Sequence, residues 1–134
     1  MKVKAAAVQM EFKADYYLDK EEFKRKVDDI MKRIDRSISL DENSIVVFPE
    51  DVGSFLFLLE TKEELKEDER LEELSRRLIK ANLIRLLLHR IKYKCGWIAS
   101  FLLSKSIPMR KCYIEAFSTA ASKYNTYIVA GSIL

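Results

Sequence analysis

Glycine and proline are scarce: the chain has three glycines and two prolines in 134 residues. Extended linkers are therefore excluded, and helices should dominate. Cysteine is equally sparse. Cys95 and Cys112 are the only two, they lack the C-x-x-C spacing, and His89 is the only histidine. A disulfide framework or a zinc site is excluded on those grounds, and free or buried thiols in a reducing compartment are expected. No apolar run approaches the roughly 18–20 residues that span a bilayer. The opening MKVKAAAVQM is basic, but its apolar stretch is too short for a signal peptide. A cytoplasmic location is the expectation. No glycine-rich phosphate loop is present, and nothing implies a metal ion or an organic cofactor.

What is present is the composition of one globular domain. Apolar residues make up 49% and charged residues 34%, which excludes a disordered chain. The net charge of +3 conceals a strong asymmetry. Residues 60–73 hold eight acidic side chains against Lys62, Lys66 and Arg70, whereas residues 74–114 hold ten Lys or Arg and no Asp or Glu. Such a block suits an acidic partner, an anionic membrane surface or nucleic acid; alternatively, acidic and basic faces solvate one helical hairpin. Tyr93, Trp97 and Phe101 lie between the cations, but they fall among Ile98, Leu102 and Leu103 and read as an apolar face. Nucleic acid is not the expected partner.

Hydrophobic periodicity alternates along the chain. Residues 3–9, VKAAAVQ, read as a short strand small enough to be covered on both faces. Asp19 can cap a helix, with Glu22 in the position of a capping box. Phe23, Val27, Ile30, Ile34 and Ile38 follow at three- and four-residue steps as its buried stripe. Residues 44–48, SIVVF, form a second strand, so this is a strand–helix–strand unit with parallel neighbours. The middle reads as helix, starting at Thr61 as cap with Glu64 behind it. Leu71, Leu74 and Leu78 make one stripe; Leu83, Leu86, Leu87 and Ile91 make a broader one. Gly96 should end or bend this region. After Pro108 another helix is expected, with Tyr113, Ile114, Phe117, Ala120 and Ala121 inward, and residues 126–131, TYIVAG, form a third buried strand.

The second strand poses the functional question, because IVVF stops at Pro49, Glu50 and Asp51. In parallel α/β sheets, ligands bind beyond the carboxyl ends of the strands. Pro49 lacks an N–H, ends ladder pairing and stiffens the backbone that carries Glu50. A half-buried carboxylate there suits a general base; a carboxylate that merely caps the following turn is the alternative. Asp51 reads as a solvated turn residue, Gln9 and Met10 as the close of the first strand, and His89 as a helix residue rather than a ligand.

Three separated segments, VKAAAVQM, SIVVFPE and YNTYIVAGS, resemble in this order the nitrilase or carbon–nitrogen hydrolase superfamily. The resemblance covers residues 2–55 and 116–134; a helical insert over about 57–110 matches nothing in it. It implies an α/β fold, part of a four-layer α-β-β-α sandwich with an enlarged helical segment, and residues 1–134 as the N-terminal part of one such domain. It also implies that Glu50 is the general base, acting on a small amide, carbamoyl or nitrile substrate. In the family a lysine and a nucleophilic cysteine follow the GS strand, and neither has a counterpart in residues 1–134. Cys112 precedes that strand, inside an apparent helix, and reads as a core thiol; Cys95 is no better placed. The resemblance therefore implies a fragment that carries the base, is inactive alone, and self-associates or pairs with a complementing chain. The alternative is a non-catalytic interaction module whose basic helical insert docks on a membrane surface or a protein partner.

Overall fold

The computed structural model describes residues 2–61 and 71–133. The elements run β1 (Lys4–Ala7), α1 (Lys20–Ile38), β2 (Ser44–Val47), α2 (Leu71–Ala81), α3 (Leu83–Tyr93), α4 (Trp97–Tyr124) and β3 (Tyr127–Val129), with 3-10 turns at Ala14–Tyr17 and Ser54–Leu58. The protein is α/β. The strands form one parallel sheet in the order β1-β2-β3, so β2 is central. The expected capping at Thr61 and Glu64 falls partly outside the described residues; Thr61 itself is buried and its hydroxyl donates to the Leu58 carbonyl at 2.6 Å.

Helix α1 starts where the sequence places it. The Asp19 carboxylate accepts from the amides of Glu21 (2.7 Å) and Glu22 (3.3 Å), satisfying amides that have no intrahelical partner. The reciprocal half of a capping box is not made, because the Glu22 side chain pairs instead with Arg25. Phe23, Val27 and Ile30 are buried as expected, joined by Met31. The helix closes at Ser39 in the left-handed conformation, φ 51°.

Helix α4 departs from expectation at its start. It begins at Trp97, with Gly96 as its N-cap, and runs through Pro108 instead of beginning after it. An interior proline removes one amide donor and crowds the preceding turn. The hydroxyls of Ser104 and Ser106, in that turn, donate to the carbonyls of Phe101 (2.7 Å) and Leu103 (2.8 Å) further back along the helix. Met109, Cys112, Ala116, Phe117 and Ala120 are its buried residues past the proline, whereas Ile114 is 51% exposed rather than inward.

The two faces of the sheet differ. Register aligns Ala6, Val46 and Ile128 on one face, and Ala5, Ile45 and Tyr127 with Ala7, Val47 and Val129 on the other. The first face packs on the core, with Val46 fully buried. The second is bare: Tyr127 is 71%, Val129 48% and Val47 39% exposed. This corrects the expectation that β1 is covered on both faces and that β3 is buried. Small β-branched strands are normally covered on both sides in parallel sheets, so composition alone misreads these.

A charged clamp ties α1 to α4. Asp28 accepts from Lys123 Nζ (2.6 Å) and Tyr124 Oη (2.9 Å) and pairs with Lys32 (3.0 Å). Desolvation alone would raise its pKa, but the hydrogen bonds from Lys123, Lys32 and Tyr124 outweigh it and bring the carboxyl down to about 2. A depressed carboxylate stabilises the fold above its unfolded pKa, near 3.8, and that contribution is lost as pH falls toward about 2. Asp28→Asn is expected to cost about 1 kcal/mol at neutral pH, the partial exposure of the clamp keeping it modest. Urea melts at pH 7 and at pH 2 check this: the gap between variant and wild type should close at the lower pH.

Candidate functional site

The segment that ends β2 is anchored from below by Phe48. Its ring is buried and meets Phe117 edge-on at 5.0 Å, and Phe117 in turn meets Tyr113 at 4.9 Å and Phe23 at 6.1 Å. Past Phe48 the chain turns at once: the Val52 amide donates to the Pro49 carbonyl (3.2 Å) and the Ser54 amide to that of Asp51 (3.0 Å). Pro49 and Glu50 therefore sit on a tight turn at the carboxyl end of the central strand, as sequence reasoning requires.

The end of β3 is fastened to that turn by main-chain contacts. The Phe48 amide donates to the Val129 carbonyl at 2.9 Å. Two residues beyond, both the amide and the hydroxyl of Ser132 donate to the Glu50 carbonyl, the hydroxyl at 2.7 Å. The Gly53 amide returns a bond to the Ser132 carbonyl at 3.1 Å. Gly131 lies between, at φ 74°, and a Cβ there would collide with the carbonyls of Pro49 and Glu50. Both its conformation and its surroundings demand glycine. A Cβ at Gly53 would come within 2.8 Å of the Tyr113 ring and 2.9 Å of the Ser132 carbonyl.

Tyr113 completes the clasp. Its hydroxyl lies 2.9 Å from the carbonyls of both Ala130 and Gly131, and burial raises its pKa. Sequence reasoning counts Tyr113 only as an inward helix residue. Its role depends on α4 passing beneath the ends of β2 and β3, which no local pattern signals.

Glu50 itself is exposed. This corrects the expectation of a half-buried side chain aimed at a cleft: the turn holds the residue through its main chain, and its carboxylate projects into solvent. Among the described residues, surface clefts of about 540, 380 and 350 Å³ occur, and Glu50 lines none of these three. Asp51 is exposed as expected and lies 3.5 Å from the Ser54 hydroxyl.

Cys112 is not poised as a nucleophile. Cys112 is 3% exposed on α4, and burial pushes its thiol up to about 11, away from the thiolate that a nucleophile needs. Cys95 is half-buried with Sγ 3.3 Å from the Ser100 hydroxyl. Among the described residues no His, Cys, Asp or Glu cluster is arranged to hold a metal ion. Comparison with protein-family models, with curated proteins and with solved structures finds no match.

Gly131→Ala is expected to destabilise the fold by more than about 2 kcal/mol, since it adds a collision to a strained φ. Glu50→Gln should stay within about 0.5 kcal/mol, because the bonds at residue 50 come from its carbonyl. Chemical denaturation of both variants checks the pair, and a mild effect of Gly131→Ala would mean that the clasp is loose.

Proposed function

We propose that this chain supplies the general-base portion of a carbon–nitrogen hydrolase of the nitrilase type, with Glu50 as the base. The observation that carries the reading is the clasp. The two motifs of the resemblance, FPE and AGS, lie 82 residues apart between Glu50 and Ser132, yet they are bonded to each other at the carboxyl ends of neighbouring parallel strands. Ligands of open α/β sheets bind at that end. The bare apolar face of the sheet supports the same reading, because a sandwich of two sheets needs one such face on each.

In this reading a second sheet covers Ala5, Ile45, Val47, Tyr127 and Val129, and brings the lysine and cysteine that residues 1–134 do not contain. Water is displaced around Glu50 as the second layer closes over the turn. Glu50 then takes the proton of the incoming cysteine thiol, and the thiolate attacks the amide or carbamoyl carbon of a small substrate. The lysine stabilises the tetrahedral oxyanion. Collapse of the intermediate breaks the C–N bond, and the Glu50 proton leaves with ammonia or an amine, giving a thioester. Glu50 next takes a proton from water, whose oxygen attacks the thioester; the acid is released and the thiol recovers its proton. No cofactor enters this sequence. The rigidity of the turn has a use in it, since a base must be held within hydrogen-bond reach of the thiol.

One observation favours a second reading, an interaction module without catalysis: α3 carries a row of exposed apolar side chains that the hydrolase mechanism does not use.

Reconstitution tests the first reading. The chain is mixed with a segment carrying the lysine and cysteine strands of such a domain, and ammonia release from small amides, carbamoyl compounds and nitriles is followed. The chain alone should release none. The complex should turn over, and Glu50→Gln should lower kcat by about 10²–10⁴-fold without weakening association. Wild-type turnover by the Glu50→Gln complex, or failure of the two segments to associate, overturns the proposal.

A further inference from the structure

Helix α3 has its buried and exposed sides in the reverse proportion to a core helix. Leu86 is fully buried, whereas Ile84 is 79%, Ile91 75%, Leu88 64%, Leu83 44% and Leu87 41% exposed. At about 100° per residue these five occupy one continuous arc of roughly 140°. The broad stripe expected from sequence therefore splits: Leu86 enters the core, while Leu83, Leu87 and Ile91 face water.

The edges of the arc are cationic. Arg90 borders one side, its guanidinium 4.3 Å over the Trp97 ring. Lys92 borders the other, its ammonium 5.0 Å over the Tyr93 ring, and exposed Lys94 closes the helix in the left-handed conformation. No acidic side chain lies anywhere in residues 74–114. The bare sheet face lies on other elements, the strands β1, β2 and β3. A helix of 11 residues is about 16 Å long, too short to cross a bilayer but long enough to lie in its surface. Among the described residues no helix is long and apolar enough to cross a membrane.

We propose that α3 docks the chain on an anionic lipid surface. Ile84, Leu88 and Ile91 enter the acyl boundary while Arg90, Lys92 and Lys94 lie among the anionic headgroups. The occupant is chosen by charge and shape together. An apolar arc flanked on both sides by cations, with Tyr93 and Trp97 at its end, complements a planar layer that is apolar within and negative at its rim. This inference is independent of the hydrolase reading, because it uses neither Glu50 nor the sheet.

Flotation of the full chain with lipid vesicles tests it. Vesicles of phosphatidylcholine with about one-third phosphatidylglycerol should bind at least about 10-fold more chain than phosphatidylcholine alone, and binding should fall steeply between about 0.1 M and about 1 M salt. Ile84→Ser/Leu88→Ser/Ile91→Ser should abolish flotation with an unchanged circular dichroism spectrum, since those side chains support no core. Arg90→Gln/Lys92→Gln/Lys94→Gln should remove the preference for anionic vesicles. Val47→Lys/Val129→Lys, on the sheet face, should float as wild type does. Equal, weak recovery with both vesicles overturns the proposal. So does flotation that survives the triple Ser substitution, or an oligomer that the same substitution dissolves while wild type fails to float; the last result would make the face an interface between copies.

Discussion

The carbonyl of Glu50 receives both the amide and the hydroxyl of Ser132, and this contact depends on residue 131 having no side chain. Everything at the carboxyl end of the sheet follows from that approach. It holds β3 in register beyond its last ladder residue and returns a bond from Gly53. It also sets the carbonyls of Ala130 and Gly131 against the Tyr113 hydroxyl on α4. Phe48 and Phe117 support the same point from the core. The turn that carries Glu50 is thus defined by main-chain bonds from one side and aromatic packing from the other, and Glu50 is exposed.

The helices and the sheet divide the work unevenly. Helices α1 and α4 pack against each other and on one sheet face, joined by the Asp28 clamp and by Lys24 to Glu115 at 2.5 Å. The other sheet face is left apolar and wet, an uncommon state for parallel strands. Exposed apolar surface on a sheet and on α3 are separate features with separate chemistry. The sheet face is built from side chains of three strands, whereas the face on α3 is a single helical arc bordered by Arg90 and Lys92.

Much of the fold is legible in the sequence. The strand–helix–strand opening, the Asp19 cap and the Phe23–Val27–Ile30 stripe follow from local chemistry and period. Gly131 reads from the sequence only as the last residue of the third strand; its positive φ and the carbonyls packed around it are structural findings. The failures share a cause: tertiary context. Apolar strands look the same whether one face or both are covered, so the exposure of Val47 and Val129 cannot be read from VVF or YIVAG. Leu83, Leu87 and Ile91 share the period of Leu86, yet only Leu86 meets the core. Pro108 reads as a helix start, yet α4 runs through it, because one proline inside a long packed helix does not end it. The position of Glu50 is legible from Pro49, but its exposure is not, because burial at a strand end depends on what packs above.

The account rests on the sheet face being a surface that water covers poorly. Light scattering of the 134-residue chain across micromolar concentrations, wild type against Val47→Lys/Val129→Lys, measures this most directly. The account predicts that wild type associates, with a mass above the monomer value of 15.7 kDa that rises with concentration, and that the double variant returns to the monomer with its melting unchanged. A wild-type chain that remains at the monomer mass, melts cooperatively and binds no dye that senses apolar surface would contradict it.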